Sequence, residues 1–230
     1  MADRMDNHKH LLLLAVVVIS VVTLPLVARE TLAARLVHDL FVAGAAVGVL
    51  FIVFSERWEK WSGALIAVPA IATTIAVYAV PERLAPQADV AFHLSVVLYL
   101  GFAVALIVRD IFRRRAITFD EIFGVFAGYL LLGIVWGNLY GLLDLLAPGS
   151  FAISADIRWQ LGDFHLRRAL FNYVSFATMA TLGYGSVQPL SPLAHTLVWL
   201  EVISAQFYLA VVIAQIVGMK IAQVVGRNPN

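Results

Sequence analysis

Six stretches of the chain stay apolar long enough to cross a bilayer as helices: 11–28, 36–54, 61–80, 90–108, 122–146 and 193–219. About 20 residues at 1.5 Å each cover a hydrocarbon core of about 30 Å, and a helix satisfies its backbone groups within its own segment, as lipid demands. Charged and small polar residues collect between these runs at 29–35, 55–60, 81–89 and 109–121, which read as short loops. Pro25 and Pro69 sit inside two of the runs and predict kinks, not breaks. Arg4 and Lys9 precede the first run and Leu26-Val27-Ala28 closes it, which has signal-peptide flavour. Its apolar core is long for a signal peptide, so it reads as a retained helix. A longer stretch, 147–192, is neither wholly apolar nor wholly polar.

Composition narrows the class further. The 230 residues are 61% hydrophobic and 13% charged, with a mean hydropathy of +0.88, where a soluble domain carries about 25% charged residues. The reading is therefore a multi-pass integral protein of the cell (inner) membrane, with the lipid bilayer as its solvent. The absence of cysteine removes disulfides and thiolate metal sites, and a net charge of +1 with scattered basic residues gives nucleic acid no footprint. Six spans put both termini on one side. Assigning that side to the cytoplasm places ten of the 16 Lys and Arg there, as the positive-inside rule prefers. The 147–192 stretch then faces out.

Thr118-Phe119-Asp120-Glu121, flanked by Ile117 and Ile122, has the spacing of a capping box with its hydrophobic staple. A new helix is expected near Phe119, dividing the chain into a four-helix unit over 1–115 and a second unit over 116–230. Within the second unit, Asp163 is placed to cap an apolar, aromatic segment at 169–180. Thr181-Leu182-Gly183-Tyr184-Gly185 follows, then Pro189, Pro192 and the last apolar run. This order of T-x-G-Y-G and its flanks resembles the pore unit of potassium channels. It is most similar to small bacterial channels of the two-transmembrane pore type, here with four extra N-terminal helices. The resemblance covers 119–220 and does not extend to the first hundred residues.

It implies an all-α membrane protein with six transmembrane helices, a re-entrant pore helix and a selectivity-filter loop, assembled as a homotetramer. The outer helix would span 119–147, the pore helix about 164–180, the filter 181–185 and the inner helix 193–220. Potassium would be the permeant ligand, with no cofactor, held by carbonyls of Thr181, Leu182, Gly183 and Tyr184 and by the Thr181 hydroxyl, with Gly185 completing the filter. Rings of carbonyls can replace a hydration shell. Pointing them to one side needs left-handed backbone at alternate residues, which glycine allows at Gly183 and Gly185. The Tyr184 ring would meet an aromatic cuff of Phe171, Tyr173 and Phe176, with Ser186 and Glu201 as further filter support. Gln206, Ala210, Ile213 and Val217, spaced 4, 3 and 4, would line the cavity. The family pattern has Asp where Ser186 stands, Thr where Ala180 stands, and a polar residue where Ala177 stands. The usual inner-helix glycine hinge falls near Ala205.

Glu201 lies well inside the last run, and the expectation is a brace between the inner and pore helices. Asp39 stands one turn from Arg35 and reads as its i, i+4 partner. His38 and His93 read as interfacial, Trp58 and Trp61 as an interfacial belt, Asn138 as a cross-helix bond, and His8 and His10 as a weak metal or pH motif. The run 90–108 contains no Arg or Lys, and Arg113-Arg114-Arg115 lies beyond it, so a voltage sensor is not expected. No residues cluster in the pattern of a membrane enzyme, such as H-E-x-x-H, so no enzyme is expected. The stretch 221–230 holds no ligand-binding domain, so control is expected from the membrane, the filter, the N-terminus or an unidentified regulatory partner. Two other readings stay open: a weakly selective cation channel or a subunit needing a partner, and a non-channel membrane enzyme or scaffold.

Overall fold

The computed structural model describes residues 8–53, 56–113, 119–183 and 185–227. They form seven α-helices: α1 (Lys9–Val27), α2 (Leu32–Val53), α3 (Arg57–Ala79), α4 (Ala85–Arg113), α5 (Phe119–Leu146), α6 (Phe164–Met179) and α7 (Pro192–Arg227). Among the described residues, α1, α3, α4, α5 and α7 contain spans long and apolar enough to cross a membrane, which marks the chain as a membrane protein. The end of the expected second span, at 54, lies outside the described residues, as do Ile117 and Thr118 of the expected capping box. Proline does not interrupt α1 at Pro25 or α3 at Pro69.

Helices α1 to α4 neighbour one another in order, α4 packs on α5, and α5 returns to α1, so five helices close a ring. Helices α6 and α7 pack on α5 as well as on each other, which makes α5 the hub of the fold. Its glycines explain how one helix can serve so many neighbours. A Cβ on Gly124 would stand 2.8 Å from the His10 ring of α1, and one on Gly141 would stand 2.7 Å from the His93 ring of α4. A Cβ on Gly133 would overlap the Phe176 ring, and one on Gly137 would meet the Asn172 Cα at 2.9 Å, both on α6. Small residues that let helices approach closely are the usual device where lipid removes the hydrophobic drive between helices.

Polar groups fasten the two ends of the ring. At one end the Asp120 carboxylate of α5 accepts from the His10 and Leu11 amides at 3.3 and 3.2 Å and stands 2.8 Å from His10 Nδ1. It therefore caps α1 across the bundle. Nearby, Glu56 and Glu59 form a capping box at the start of α3, and Glu59 also pairs with Arg109 of α4.

At the other end the chain departs from the all-α expectation. Strands β1 (Phe151–Ile153) and β2 (Val187–Pro189) pair antiparallel, Phe151 opposite Pro189. This two-stranded sheet clasps the two flanks of the segment that carries α6. A turn with Pro148-Gly149 at its centre leads into it; Gly149 has φ 88° and the Ser150 amide donates to the Ala147 carbonyl at 3.1 Å. Proline then glycine with positive φ is the signature of a type II turn. Three-residue strands between turns leave no hydrophobic periodicity to read, which is why the sequence pattern missed them.

Candidate functional site

The site is built on α6. Asp163 caps its first turn, accepting from the His165 and Leu166 amides at 2.9 and 3.1 Å. The same carboxylate takes a hydrogen bond from Arg35 Nη1 of α2 at 2.6 Å. Partial burial pushes the Asp163 carboxyl up, but the Arg35 bond and charge and the two capping amides outweigh it and hold it below the ordinary carboxylate range. Two turns of α6 then carry the remaining ties of this end. Arg168 grips Asp39 of α2 through both terminal nitrogens, at 2.5 and 3.1 Å, and stacks over Phe92 and Phe164 at 5.4 and 5.6 Å. Arg167 reaches Asp144 of α5 at 3.7 Å and Asp89 of α4 at 3.8 Å.

Asp39 is only 6% exposed and also accepts from the Tyr78 hydroxyl of α3 at 2.8 Å, with His38 Nδ1 at 3.2 Å. The expected Arg35–Asp39 pair is thus not the one formed. A local i, i+4 pair is worth about 0.2–0.5 kcal/mol, whereas a buried planar guanidinium offers Asp39 two parallel hydrogen bonds. Burial and the charge of Arg168 push the His165 imidazole down to about 4, so it stands 3.7 Å from Asp39 as a neutral ring. His38 and His93 are not interfacial either. His38 Nε2 meets Thr23 at 2.8 Å, and His93 is fully buried with Nδ1 2.9 Å from Asn138 Oδ1.

At its far end α6 terminates in a Schellman pattern. The Thr181 amide donates to the Thr178 carbonyl at 3.0 Å and the Leu182 amide to the Ala177 carbonyl at 2.9 Å. That pattern needs a left-handed residue at position 181, usually glycine, and here it is threonine with φ 56°. A β-branched residue in that region is strained by about 1–2 kcal/mol. Gly183, two residues on, has φ 89°. Among the described residues of 181–185 the left-handed positions are therefore Thr181 and Gly183, and Gly185 is not one of them. Thr181, Leu182, Gly183 and Gly185 are all exposed, Leu182 at 77%. Tyr184 lies outside the described residues.

Behind this segment runs a chain of buried contacts. Glu201 of α7 meets Ser175 of α6 at 2.5 Å and the Tyr140 hydroxyl of α5, while Ser175 Oγ also lies 2.8 Å from the Gly133 carbonyl. Ser175 has one hydrogen and two acceptors to satisfy. All three contacts are met when Tyr140 donates to Glu201, a protonated Glu201 donates to Ser175, and Ser175 donates to Gly133. The Tyr129 hydroxyl adds a 3.3 Å bond to the Met179 carbonyl, and Trp136 donates to Ser204 at 3.1 Å.

The chain matches no family model, no curated protein and no solved structure. The potassium-channel resemblance therefore rests on the residues themselves.

The other anticipated residues divide by position. Gln206, Ala210, Ile213 and Val217 share an exposed face of α7, while Glu201, Ala205, Tyr208 and Val212 form the opposite, buried stripe. The aromatic cuff is not assembled within this chain. Phe171 is fully buried against Phe151 of β1 at 5.2 Å, Phe176 lies in the groove at Gly133, and Tyr173 is 61% exposed. At successive helical angles of 200° and 300° the three side chains cannot share a face. Ser186 contributes its carbonyl, which accepts from the Ser154 amide at 2.9 Å. Sequence reasoning missed Arg167, Arg168, Asp89 and Asp144. Their signal was topological: acids and arginines placed at the same end of successive apolar runs.

Proposed function

We propose that the protein is a potassium-selective channel, passive and without an intrinsic voltage sensor, working as a homotetramer in the inner membrane. Helices α1 to α5 and α7 make six crossings with both termini cytoplasmic, and α6 is the re-entrant pore helix. The observation that carries this reading is the backbone after α6, where left-handed residues alternate at Thr181 and Gly183 in a segment one chain leaves exposed. Alternation of this kind turns successive carbonyls toward one side. A single such strand cannot surround an ion, so the exposed segment calls for other copies. The carbonyl end of α6, with its partial negative charge, would favour a cation below the filter. The exposed α7 face of Gln206, Ala210, Ile213 and Val217 would line the cavity.

One observation favours a second reading, a weakly selective cation channel. Among the described residues the Ser186 side chain makes no hydrogen bond to α6, and Ala177 and Ala180 offer none from behind. Single-channel recording of purified protein in opposed potassium and sodium solutions tests both. A reversal potential near the potassium equilibrium value is expected, and one near zero favours the weakly selective pore. Absence of conductance from a tetramer, or a functional monomer, would overturn the proposal. Gly183→Ala should remove selective conduction, because a Cβ at φ 89° costs about 1–2 kcal/mol in each chain.

A further inference from the structure

The ring of five helices is not filled. A cavity of about 580 Å³ lies within it, bounded on one side by α6. This is well inside the range of small-molecule sites, roughly 300–1,000 Å³. Its walls are apolar, with Val17 and Val21 of α1, Val42 and Ala46 of α2, Leu100 of α4 and Ile134 of α5 facing in. Along α1 the lining runs from Val16 to Pro25, and along α2 from His38 to Val47. Nine residues at 1.5 Å make a depth of about 13 Å, close to one leaflet of a bilayer whose core is about 30 Å thick.

The charged side chains of the cavity, Arg29, Asp39 and Arg168, are gathered at the β1–β2 end, and two of the three are already committed. Asp39 and Arg168 hold each other, and His38 is bonded through both ring nitrogens. Arg29, in the α1–α2 turn, and Gln160, in the 3₁₀ turn Arg158–Gly162, also line the cavity. Neither side chain has a partner among the described residues. An apolar shaft one leaflet deep, with an unpaired guanidinium and an unpaired carboxamide at its mouth, describes a ligand with one apolar tail and an anionic acceptor head.

We infer that this cavity binds a single-chain anionic amphiphile, a free long-chain carboxylate, with its head at Arg29 and Gln160 and its tail between α1, α2 and α5. The opposite wall includes Asn172, Tyr173 and Phe176 of α6, so the tail lies directly against the helix that leads to Thr181. The site depends on the cavity and not on ion conduction, so it stands or falls independently of the channel reading.

The test is a fluorescence titration of the purified full-length protein with cis-parinaric acid, whose emission rises in apolar surroundings. One saturable site per chain is expected, displaced by palmitate and far less well by hexadecanol. Ala43→Phe with Ala46→Phe fills the shaft and should weaken binding by about tenfold or more. Arg29→Gln lies on the surface, leaves the fold intact, and should weaken the carboxylate about fivefold while leaving the alcohol unchanged. Non-saturable partition, equal displacement by acid and alcohol, or unchanged affinity in the filled variant would overturn the site. Displacement by phosphatidylglycerol as effective as by palmitate would overturn the single-chain assignment.

Discussion

Helices α5 and α1 both carry apolar stretches long enough to cross a membrane, yet the protein uses them differently. The most apolar window of α5 is 50% buried within the chain, whereas those of α1 and α3 are each 22% buried. The contrast does not come from hydrophobicity, since α1 is the more hydropathic of the two. It comes from glycine and from charge placed at helix ends. Five glycines on α5 each admit a side chain from another helix, from four helices in all. On α2, a Cβ at Gly44 or Gly48 would meet nothing within 4 Å. In a membrane, apolarity puts a helix in the bilayer, while grooves and ion pairs decide what it packs against.

The strongest way to break this contrast is to remove one side of the Arg168–Asp39 pair, the tie between α6 and the α1–α4 unit. Arg168→Met leaves a buried carboxylate without its cation and should cost about 3–5 kcal/mol. Thermal unfolding of the solubilised protein would show it as a large fall in midpoint, and an unchanged midpoint would remove the tie from the account. Replacing both partners, Arg168→Met with Asp39→Leu, should recover most of the loss.

Next in size are the glycines. Gly137→Ala drives a Cβ into the α6 backbone at Asn172 and should cost about 1–3 kcal/mol, as overpacking does. Gly44→Ala should be neutral, or stabilising by up to about 1 kcal/mol through helix propensity. Equal effects at the two sites would erase the distinction between groove and free face.

Much of this was legible before any coordinates, and the rest was not, for reasons that can be stated. The limits of α5 and α6 and the start of α7 followed from apolar runs and from Asp163, a cap readable by its place before an apolar segment, whereas α7 continues to Arg227, seven residues past its expected end at 220. The partners of Asp39 and Asp163 lie 129 and 128 residues away, and no local rule reaches that far. Local spacing instead proposed Arg35 for Asp39. The left-handed backbone at Thr181 was hidden for the opposite reason: threonine is the wrong residue for it, so propensity pointed away.

That strain supplies the third prediction. Thr181→Gly should raise stability by about 1–2 kcal/mol by removing the Cβ penalty. The same change should lower potassium selectivity, since the hydroxyl goes with it. A destabilised Thr181→Gly protein would show that Thr181 is not strained.

Two smaller effects sharpen the picture of α6. Glu201→Gln can donate to Ser175 and accept from Tyr140, so it should keep wild-type stability within about 0.5 kcal/mol, where Glu201→Ala loses both contacts. Asp163 is held below the ordinary carboxylate range, so its contribution is full above that range and lost as pH falls through its lowered native value. Asp163→Asn keeps the cap but not the charge. With the carboxylate 35% exposed, the acid-side stability loss it removes should be at most about 1 kcal/mol. Identical acid unfolding curves for wild type and Asp163→Asn would exclude a role for that charge.

The distance along the chain between Asp39 and Arg168 also has a consequence in time. A ribosome adding about 5–20 residues per second delivers Arg168 roughly 6–26 s after Asp39, 129 residues later. Throughout that interval α2 exists and α6 does not. The cation within one turn of Asp39 is Arg35, the partner that local spacing names and the finished fold declines. Until α6 is made, Arg35 is the guanidinium nearest to Asp39 along the chain; in the finished fold Asp39 pairs with Arg168 and Arg35 with Asp163. A chain stopped after Arg113 should therefore show energetic coupling between Arg35 and Asp39 in a double-mutant cycle, and the full-length protein should show almost none.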